Sequence, residues 1–475
     1  MASESPIRFG TDGWRALIAR DYTFANVRAC AHGVCRLLAA HGNADRGLVV
    51  GYDSRFGSAD FAAEVAAVAT SLGVPTTLAD RVVPTPVVSF EVIRRKAGGG
   101  VVITASHNSA AWNGFKYKPD YGGSAAPAII DELESHIAAV LAEGAEAATP
   151  HAARDLLTTT ELAPPYVANL ASVVDLDAIR NAGLRVGFDA MHGAGAGYLE
   201  AALGAAGSTS VVEMRGEHNP AFPGMGQPEP IAPNLAPSIA EARGGRFDVV
   251  VANDGDADRL GVLDERGEFI TTLEVFSLLC LHQLEVRGVR GPLVRSITQS
   301  AMVDKLGALF DVPVHRTAVG FKFLGPVMME VDAVAAGEES GGYAFRGNIP
   351  ERDGILSALL FLDLMVQTGK RPSELIEMLH EKVGEHAYDR LDVALEPGAR
   401  APDVAALAAA PPERLAGLRV EGTDTTDGVR YLLEDGFWGL IRPSGTEPLL
   451  RIYAEGDSPE RVAEMIEALR GVAGV

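Results

Sequence analysis

The sequence predicts an α/β fold of layered units with mixed, largely parallel sheets. Three observations predict it. Short apolar runs of strand length alternate with segments whose apolar residues recur at helical spacing. Several of these runs end in a polar turn that leads into the next helix, as expected where helices cover a parallel sheet. One run is also written twice. Leu48-Val-Val-Gly-Tyr-Asp53 and Leu184-Arg-Val-Gly-Phe-Asp189 both read Leu-x-Val-Gly-aromatic-Asp, which hints at duplicated units.

The chain opens on a glycine-punctuated loop, Arg8-Phe-Gly-Thr-Asp-Gly-Trp-Arg15. Thr23 can cap a helix whose apolar positions are Phe24, Val27, Ala31, Val34 and Leu38. Leu48–Tyr52 reads as a strand with Asp53-Ser-Arg55 at its end. A helix over 58–72 and a short strand from Val74 follow, and Pro84-Thr-Pro86 turns the chain into another helix. Glycines 98–100 deliver the apolar strand that ends at Ile103. Alanine, proline and glutamate thicken over 143–165, which marks a boundary. The second unit opens with strand 184–189. Its strand 247–252 runs into Asn253-Asp-Gly-Asp-Ala-Asp-Arg259, and 260–263 with 268–270 reads as a hairpin. A third unit starts near Thr271 with a helix to about Val286, then strand 293–297 and a helix over 300–310. It continues through Val319-Gly-Phe-Lys322 and Gly337-Glu-Glu-Ser-Gly-Gly342 to a long helix over 353–367. The last unit begins near Ala387. Its alanine- and proline-rich stretch 397–417 reads as a surface excursion. Strands over 429–441, the turn 442–448, strand 449–453 and a helix over 458–469 close the chain. Ser458 followed by Pro459 is a helix start, although Arg461 leaves the capping box incomplete.

At about 150 residues per domain, 475 residues imply three or four domains with ample core. The three cysteines, Cys30, Cys35 and Cys280, form no CxxC motif, which argues against a disulfide framework or zinc site and fits a reducing cytosol. The N-terminus has no basic region followed by an apolar run, and no segment has the length of a membrane span; a cytoplasmic location is expected. The net charge of −22 argues against a nucleic-acid partner. It does not exclude a phosphorylated small substrate. Charges beyond about 8 Å are largely screened, whereas a phosphate about 4 Å from an arginine gains on the order of 4 kcal/mol at an effective dielectric near 20.

The chemistry concentrates in four stretches. Thr104-Ala-Ser-His-Asn108 follows a buried strand. It offers the hydroxyl of Ser106 beside His107, with Lys116 ten residues on, and suits the acceptance and donation of a phosphoryl group. A polar strand-to-loop junction is the plainer reading. Asp254, Asp256 and Asp258 alternate after a second apolar strand. That spacing lets three carboxylates converge on one hard cation, magnesium being the natural ion beside a phosphate. A calcium EF-hand would require glycine where Arg259 stands and helices where the flanks read as strands; an acidic turn is the other alternative. Arg259 is placed to grip a phosphate oxygen with two prongs. Arg442-Pro-Ser-Gly-Thr-Glu-Pro448 holds the parts of an anion nest, with a β-turn as the alternative. Gly337–Gly342 offers acceptors suited to sugar hydroxyls.

Together these residues resemble the α-D-phosphohexomutase superfamily, the phosphoglucomutases and phosphomannomutases, over essentially the whole chain. Thr-Ala-Ser-His-Asn resembles its phosphoserine loop, Asp-Gly-Asp-Ala-Asp-Arg its metal loop, Gly-Glu-Glu-Ser-Gly its sugar loop and Arg-Pro-Ser-Gly-Thr-Glu-Pro its phosphate loop. The resemblance implies three similar α/β domains and a smaller α+β C-terminal domain resembling the TATA-binding-protein fold, each lending one loop to a central cleft. The expected division is 1–160, 161–270, 271–386 and 387–475.

It implies further that Ser106 carries the phosphoryl group and completes a Mg2+ shell with Asp254, Asp256 and Asp258. Lys116 and Arg15 match positions that assist proton transfer and phosphate charge, with His107 beside the serine. Arg259 and Lys322 would contact the ligand, Glu338 and Ser340 the sugar hydroxyls, and Arg442, Ser444, Gly445 and Thr446 the non-reacting phosphate. The implied reaction interconverts hexose 1- and 6-phosphates through a hexose 1,6-bisphosphate, with glucose favoured and mannose possible. Phosphoglucosamine mutase, or a glucose 1,6-bisphosphate synthase or phosphatase on the same serine–magnesium site, are the alternatives. A monomer or homodimer is expected. Two departures stand out: Gly342 where some relatives carry histidine, and Ser109 where proline is frequent.

Overall fold

In the computed structural model, which describes residues 7–147, 149–395, 402–443 and 449–475, the chain forms four sheets. The first has six strands in the order Trp14–Leu17, Trp112–Pro119, Gly99–Ile103, Leu48–Tyr52, Thr76–Ala79 and Leu157–Thr160. The last four run parallel, while Trp112–Pro119 is antiparallel to both its neighbours. Register pairs Arg15 with Gly114 and Ile103 with Phe115, so three distant stretches bring Arg15, Ser106 and Lys116 to one region of the sheet.

The second sheet has five strands, Phe269–Ile270, Leu260–Leu263, Val249–Asn253, Arg185–Asp189 and Ser210–Met214, the last three parallel. The third has four, Val314–Thr317, Leu293–Ser296, Ala335–Gly337 and Tyr343–Phe345, with only the last antiparallel. Three α/β domains with mixed sheets result. The C-terminal unit differs: six strands pair antiparallel throughout, and the helix Pro459–Ala473 lays Val462, Met465, Ile466 and Leu469 on them.

One continuous core joins the first three units. At its centre lies the helix Gly354–Thr368, in which every residue from Gly354 to Met365 is buried. A helix apolar on all sides belongs inside a large protein. Asp353 caps it through the Leu356 amide, and because Asp353 ends the segment 345–353, the cap anchors that segment beside the metal loop.

The duplicated run has duplicated geometry. Both copies are parallel strands inside their sheets. The terminal Asp53 accepts from the Arg55 amide at 2.9 Å, and Asp189 accepts from the Met191 amide at 3.0 Å. Each then binds a guanidinium, of Arg55 and Arg215 respectively.

Several elements differ from expectation. The strand read from Val74 begins at Thr76. The helix from Thr271 is α-helical to Leu281 and widens into a π-turn, His282–Val286, where buried His282 meets Asp363 at 2.8 Å. The strands expected over 429–441 are present as a hairpin of Val429–Leu433 and Trp438–Pro443, the second running into the expected turn. The excursion contains the helix Val404–Ala409 and the strand Arg414–Leu415; residues 397–401 lie outside the described residues.

Candidate active site

Ser106 stands just beyond the strand Gly99–Ile103, fully buried and in the left-handed region at φ +53°. That backbone costs a β-carbon residue about 1–2 kcal/mol, and two contacts hold it. The Ser106 amide donates to Thr104 Oγ1 at 2.8 Å. The guanidinium of Arg55, fixed on Asp53 at 3.0 Å, donates to the carbonyls of Ser106 and Asn108 at 2.6 Å, Ser109 at 2.8 Å and Trp112 at 3.1 Å. Arg55 thus shapes the whole loop from below.

Across from it, the strand Val249–Asn253 delivers Asp254, Asp256 and Asp258, all fully buried. One oxygen from each lies within 4.8 Å of those of the other two. Gly255 lets this loop approach: a β-carbon there would sit 2.5 Å from the Ser106 carbonyl. Ser106 Oγ donates to Asp254 Oδ2 at 2.9 Å. Asp254 Oδ1 accepts the amides of Asp258 and Arg259 at 3.0 and 3.1 Å. Lys116 Nζ lies 2.8 Å from Asp256 Oδ2, 2.9 Å from Asp258 Oδ2 and 2.6 Å from Asp12 Oδ2. Thr85 also donates to Asp256 Oδ2, at 2.5 Å.

The second oxygens, Asp256 Oδ1 and Asp258 Oδ1, are buried without a hydrogen-bond partner. Unpartnered buried carboxylate oxygens are costly, and a divalent cation beside Ser106 Oγ would satisfy both. An all-oxygen set of three carboxylates and a hydroxyl is the chemistry magnesium takes. Burial, followed by repulsion from Asp258 and Asp256, pushes the Asp254 carboxyl well above the usual range. Burial works against charge on Lys116 as well, but Asp12, Asp256 and Asp258 outweigh it and raise its pKa.

Arg259 Nη1 pairs with Glu229 at 2.8 Å and its Nη2 donates to His107 Nδ1 at 2.8 Å. His107 therefore accepts at Nδ1 and carries its proton on Nε2. Burial first, then Arg259 and Arg15, holds its pKa well below that of a free imidazole. Arg15 donates to Asn108 Oδ1 at 2.9 Å.

The third domain reaches the same place through Arg352. Its guanidinium pairs with Asp12, meets Asp258 at 3.0 Å and Glu351 at 3.2 Å, and stands 3.8 Å from Glu338. Burial pushes the Glu338 carboxyl up to about 7 against the pull of Arg352 and Arg259. A β-carbon on Gly342 would collide with Arg352 Cδ, so the arginine fills the space that a histidine at 342 would need. Ser340 is half-buried on the same turn. Lys322 donates to the Gly10 carbonyl at 3.1 Å, joining its loop to the first domain.

Four family models, for domains I, II and III and the C-terminal domain of phosphoglucomutase/phosphomannomutase, match residues 6–143, 164–267, 274–383 and 393–472. The chain belongs to this family. Among its relatives, a phosphoglucomutase/phosphomannomutase from Thermococcus kodakarensis is 31% identical over 97% of this chain and 96% of its own. A phosphoglucosamine mutase from Leuconostoc mesenteroides is 30% identical over 98% and 97%. A solved structure from Thermus thermophilus, provisionally designated a phosphomannomutase, is 35% identical with a TM-score of 0.86, covering 99% of this chain and all of that one. More distantly, Aspergillus fumigatus N-acetylphosphoglucosamine mutase, solved with GlcNAc-6P and magnesium, shares the fold at 16% identity with a TM-score of 0.59, covering 98% of this chain and 96% of its own.

Within this phosphohexomutase, the structure gathers Ser106, His107, Arg15, Lys116, the three aspartates, Arg259 and Glu338 around one centre. Arg442 stands apart from them. It binds Asp427 at 2.9 Å, and the other oxygen of Asp427 accepts the Val319 amide at 3.0 Å, linking the fourth domain to the loop of Lys322. Ser444, Gly445 and Thr446 lie outside the described residues. Reading the sequence missed Asp12, Arg55, Glu229 and Arg352. The signal for Arg352 was the charged run Glu351-Arg352-Asp353 set directly before a largely apolar helix.

Proposed function

We propose that this phosphohexomutase moves a phosphoryl group reversibly between O1 and O6 of a hexose, with Ser106 as its carrier and a hexose 1,6-bisphosphate as intermediate. The observation that carries the proposal is the 2.9 Å contact of Ser106 Oγ with Asp254 at the edge of a three-carboxylate cluster whose two free oxygens are buried. Ser106, Asp254, Asp256 and Asp258 would hold magnesium, as the magnesium-bound Aspergillus relative suggests. When bound, the ion would neutralise charge on the phosphoryl oxygens, which is most of what such a transfer requires.

The chain's own residues do the rest. Phosphorylated Ser106 loses its O–P bond as a substrate hydroxyl oxygen gains one, and the proton that this hydroxyl gives up ends on Ser106 Oγ, which then donates to Asp254, with the Lys116 ammonium beside the transfer. Arg259 and Arg15 bear on the phosphoryl charge. Glu338 and Ser340 accept from sugar hydroxyls. Arg442, with 444–446, grips the other phosphate while the bisphosphate turns round. The working division is at 160, 270 and 386, one loop to each domain.

Glucose phosphate is the favoured substrate, with mannose phosphate second. The relatives named phosphoglucosamine mutases keep glucosamine phosphate as a specific second reading. The test pairs glucose 1-phosphate with glucosamine 1-phosphate under magnesium while intact mass is read. Formation of glucose 6-phosphate, together with a phosphate-sized mass increment absent from Ser106→Ala, supports the proposal. Turnover of the amino sugar alone keeps the mechanism and changes the sugar. Activity surviving in Ser106→Ala refutes the mechanism.

A further inference from the structure

A cavity of about 520 Å3 opens between the first and third domains, away from the carboxylate cluster. Its wall is mainly apolar. Met328, Phe345 and Ile349 are buried in it, while Ile93 and Met329 keep 39% and 42% of their surface exposed. Large apolar side chains left open around a concave space of this size are characteristic of small-molecule sites, which run to about 300–1,000 Å3 and favour domain boundaries.

The charges around it are unequal. Three cations, Arg46, Lys96 and Arg346, face two carboxylates, Asp120 and Asp332. Arg46 pairs with Asp120 at 2.9 Å and Arg346 with Asp332 at 3.2 Å. Lys96 Nζ has no ion-pair or hydrogen-bond partner among the described residues; only the Lys96 carbonyl is engaged, by Arg46. One ammonium is therefore left uncompensated beside an apolar space, in a chain of net charge −22.

We propose that this cavity binds a small organic monoanion, an alkyl or aryl body bearing one carboxylate or sulfonate, with its acid group at Lys96. The ligand also acts on the catalytic cleft, a consequence that rests on the mutase reading. Both walls lead there. One wall includes Asp120 and Tyr121, in the turn that carries Ser124, whose hydroxyl donates to Glu351 at 2.6 Å. The other is the segment 345–350, which continues into Glu351 and Arg352. A ligand that props or draws together these walls moves the arginine that holds Asp258.

The test uses the full chain and two probes, 1-anilinonaphthalene-8-sulfonate followed by fluorescence and octanoate as its competitor. The naphthalene probe is expected to saturate one site, to be displaced by octanoate and to be untouched by glucose 1-phosphate. Lys96→Ala and Ile93→Glu, both at exposed positions outside the cleft, should keep basal activity and weaken binding about tenfold, the scale of one partly screened charge. Unchanged affinity in both variants, or no saturable binding of either probe, overturns the site. This readout does not depend on turnover, so it fails separately from the mutase reading. Octanoate should also change kcat or KM about twofold in the wild type and not in Ile93→Glu. No change in an active wild-type enzyme refutes the coupling.

Discussion

Replacing Lys116 by methionine removes the ammonium that three buried carboxylates share. Each contact near 2.8 Å is worth roughly 6 kcal/mol of attraction at an effective dielectric near 20, and burying the ammonium returns several kcal/mol of cost. Breaking such a pair by deleting one partner destabilises by about 3–5 kcal/mol, because the surviving charges stay buried. The loss has a pH signature. In the wild type burial would raise Asp12 and Asp256, but the cations led by Lys116 hold both below the usual carboxylate range. Groups lowered in this way stabilise the fold above about pH 4 and lose that contribution as pH falls through their folded values. Without Lys116 burial dominates, the carboxyls titrate higher, and the variant weakens as pH rises from about 4 towards 7. The gap between the proteins should therefore be wide near pH 7.5 and narrow near pH 4.5. Denaturant unfolding in EDTA at both pH values measures it, and added magnesium should stabilise the variant more than the wild type. Equal unfolding midpoints near pH 7.5 would refute the reasoning.

Three further outcomes are expected. Glu338, raised to about 7 mainly by burial, keeps a proton that the unfolded chain loses near the ordinary value of 4.5, so this group's contribution falls as pH rises between those values, by on the order of 3 kcal/mol in all. Glu338→Gln should flatten that part of the stability–pH curve; a variant as steep as the wild type would contradict the assignment. Gly255→Ala drives a β-carbon against the Ser106 carbonyl and should cost about a hundredfold in kcat through misplacement of the two loops. An undiminished kcat would mean that the loops need not stay in register. Arg55→Lys replaces a fork reaching four carbonyls with a single ammonium. Mutase activity should drop at least about tenfold while the circular dichroism spectrum is kept, and full activity would show that the serine loop holds its own shape.

What could be read from the sequence follows from locality. Ser106 and the alternating aspartates were legible because their chemistry requires particular residues within a few positions of one another. The α/β order was legible from apolar period and turn residues. The antiparallel strand Trp112–Pro119 was not: its polar Asn113, Lys116 and Lys118 break the apolar signal because the lysines are buried for charge pairing and Asn113 for hydrogen bonds rather than for packing. Arg352 and Asp12 were hidden for a related reason. They pair across 340 positions, and no sequence spacing announces such a meeting. Residues announced by their immediate neighbours, as Ser106 and the aspartates are, could be found in advance, whereas Asp12, Arg55, Glu229 and Arg352, which act through partners distant in sequence, could not.

That long reach governs how the protein comes into being. Lys118, wholly buried, finds its carboxylate in Glu351, which lies 233 positions later. At about 5–20 residues per second a ribosome needs on the order of 10–50 s to supply it. Through that interval Lys116 and Lys118 lie on a hydrated, charged face of the emerging first domain, with Asp12 as the carboxylate already beside them. Such a face resists sticking to its neighbours until the later domains arrive. The nascent chain thus carries a temporary solubility tag of its own, erased when the third domain docks and the catalytic centre is completed.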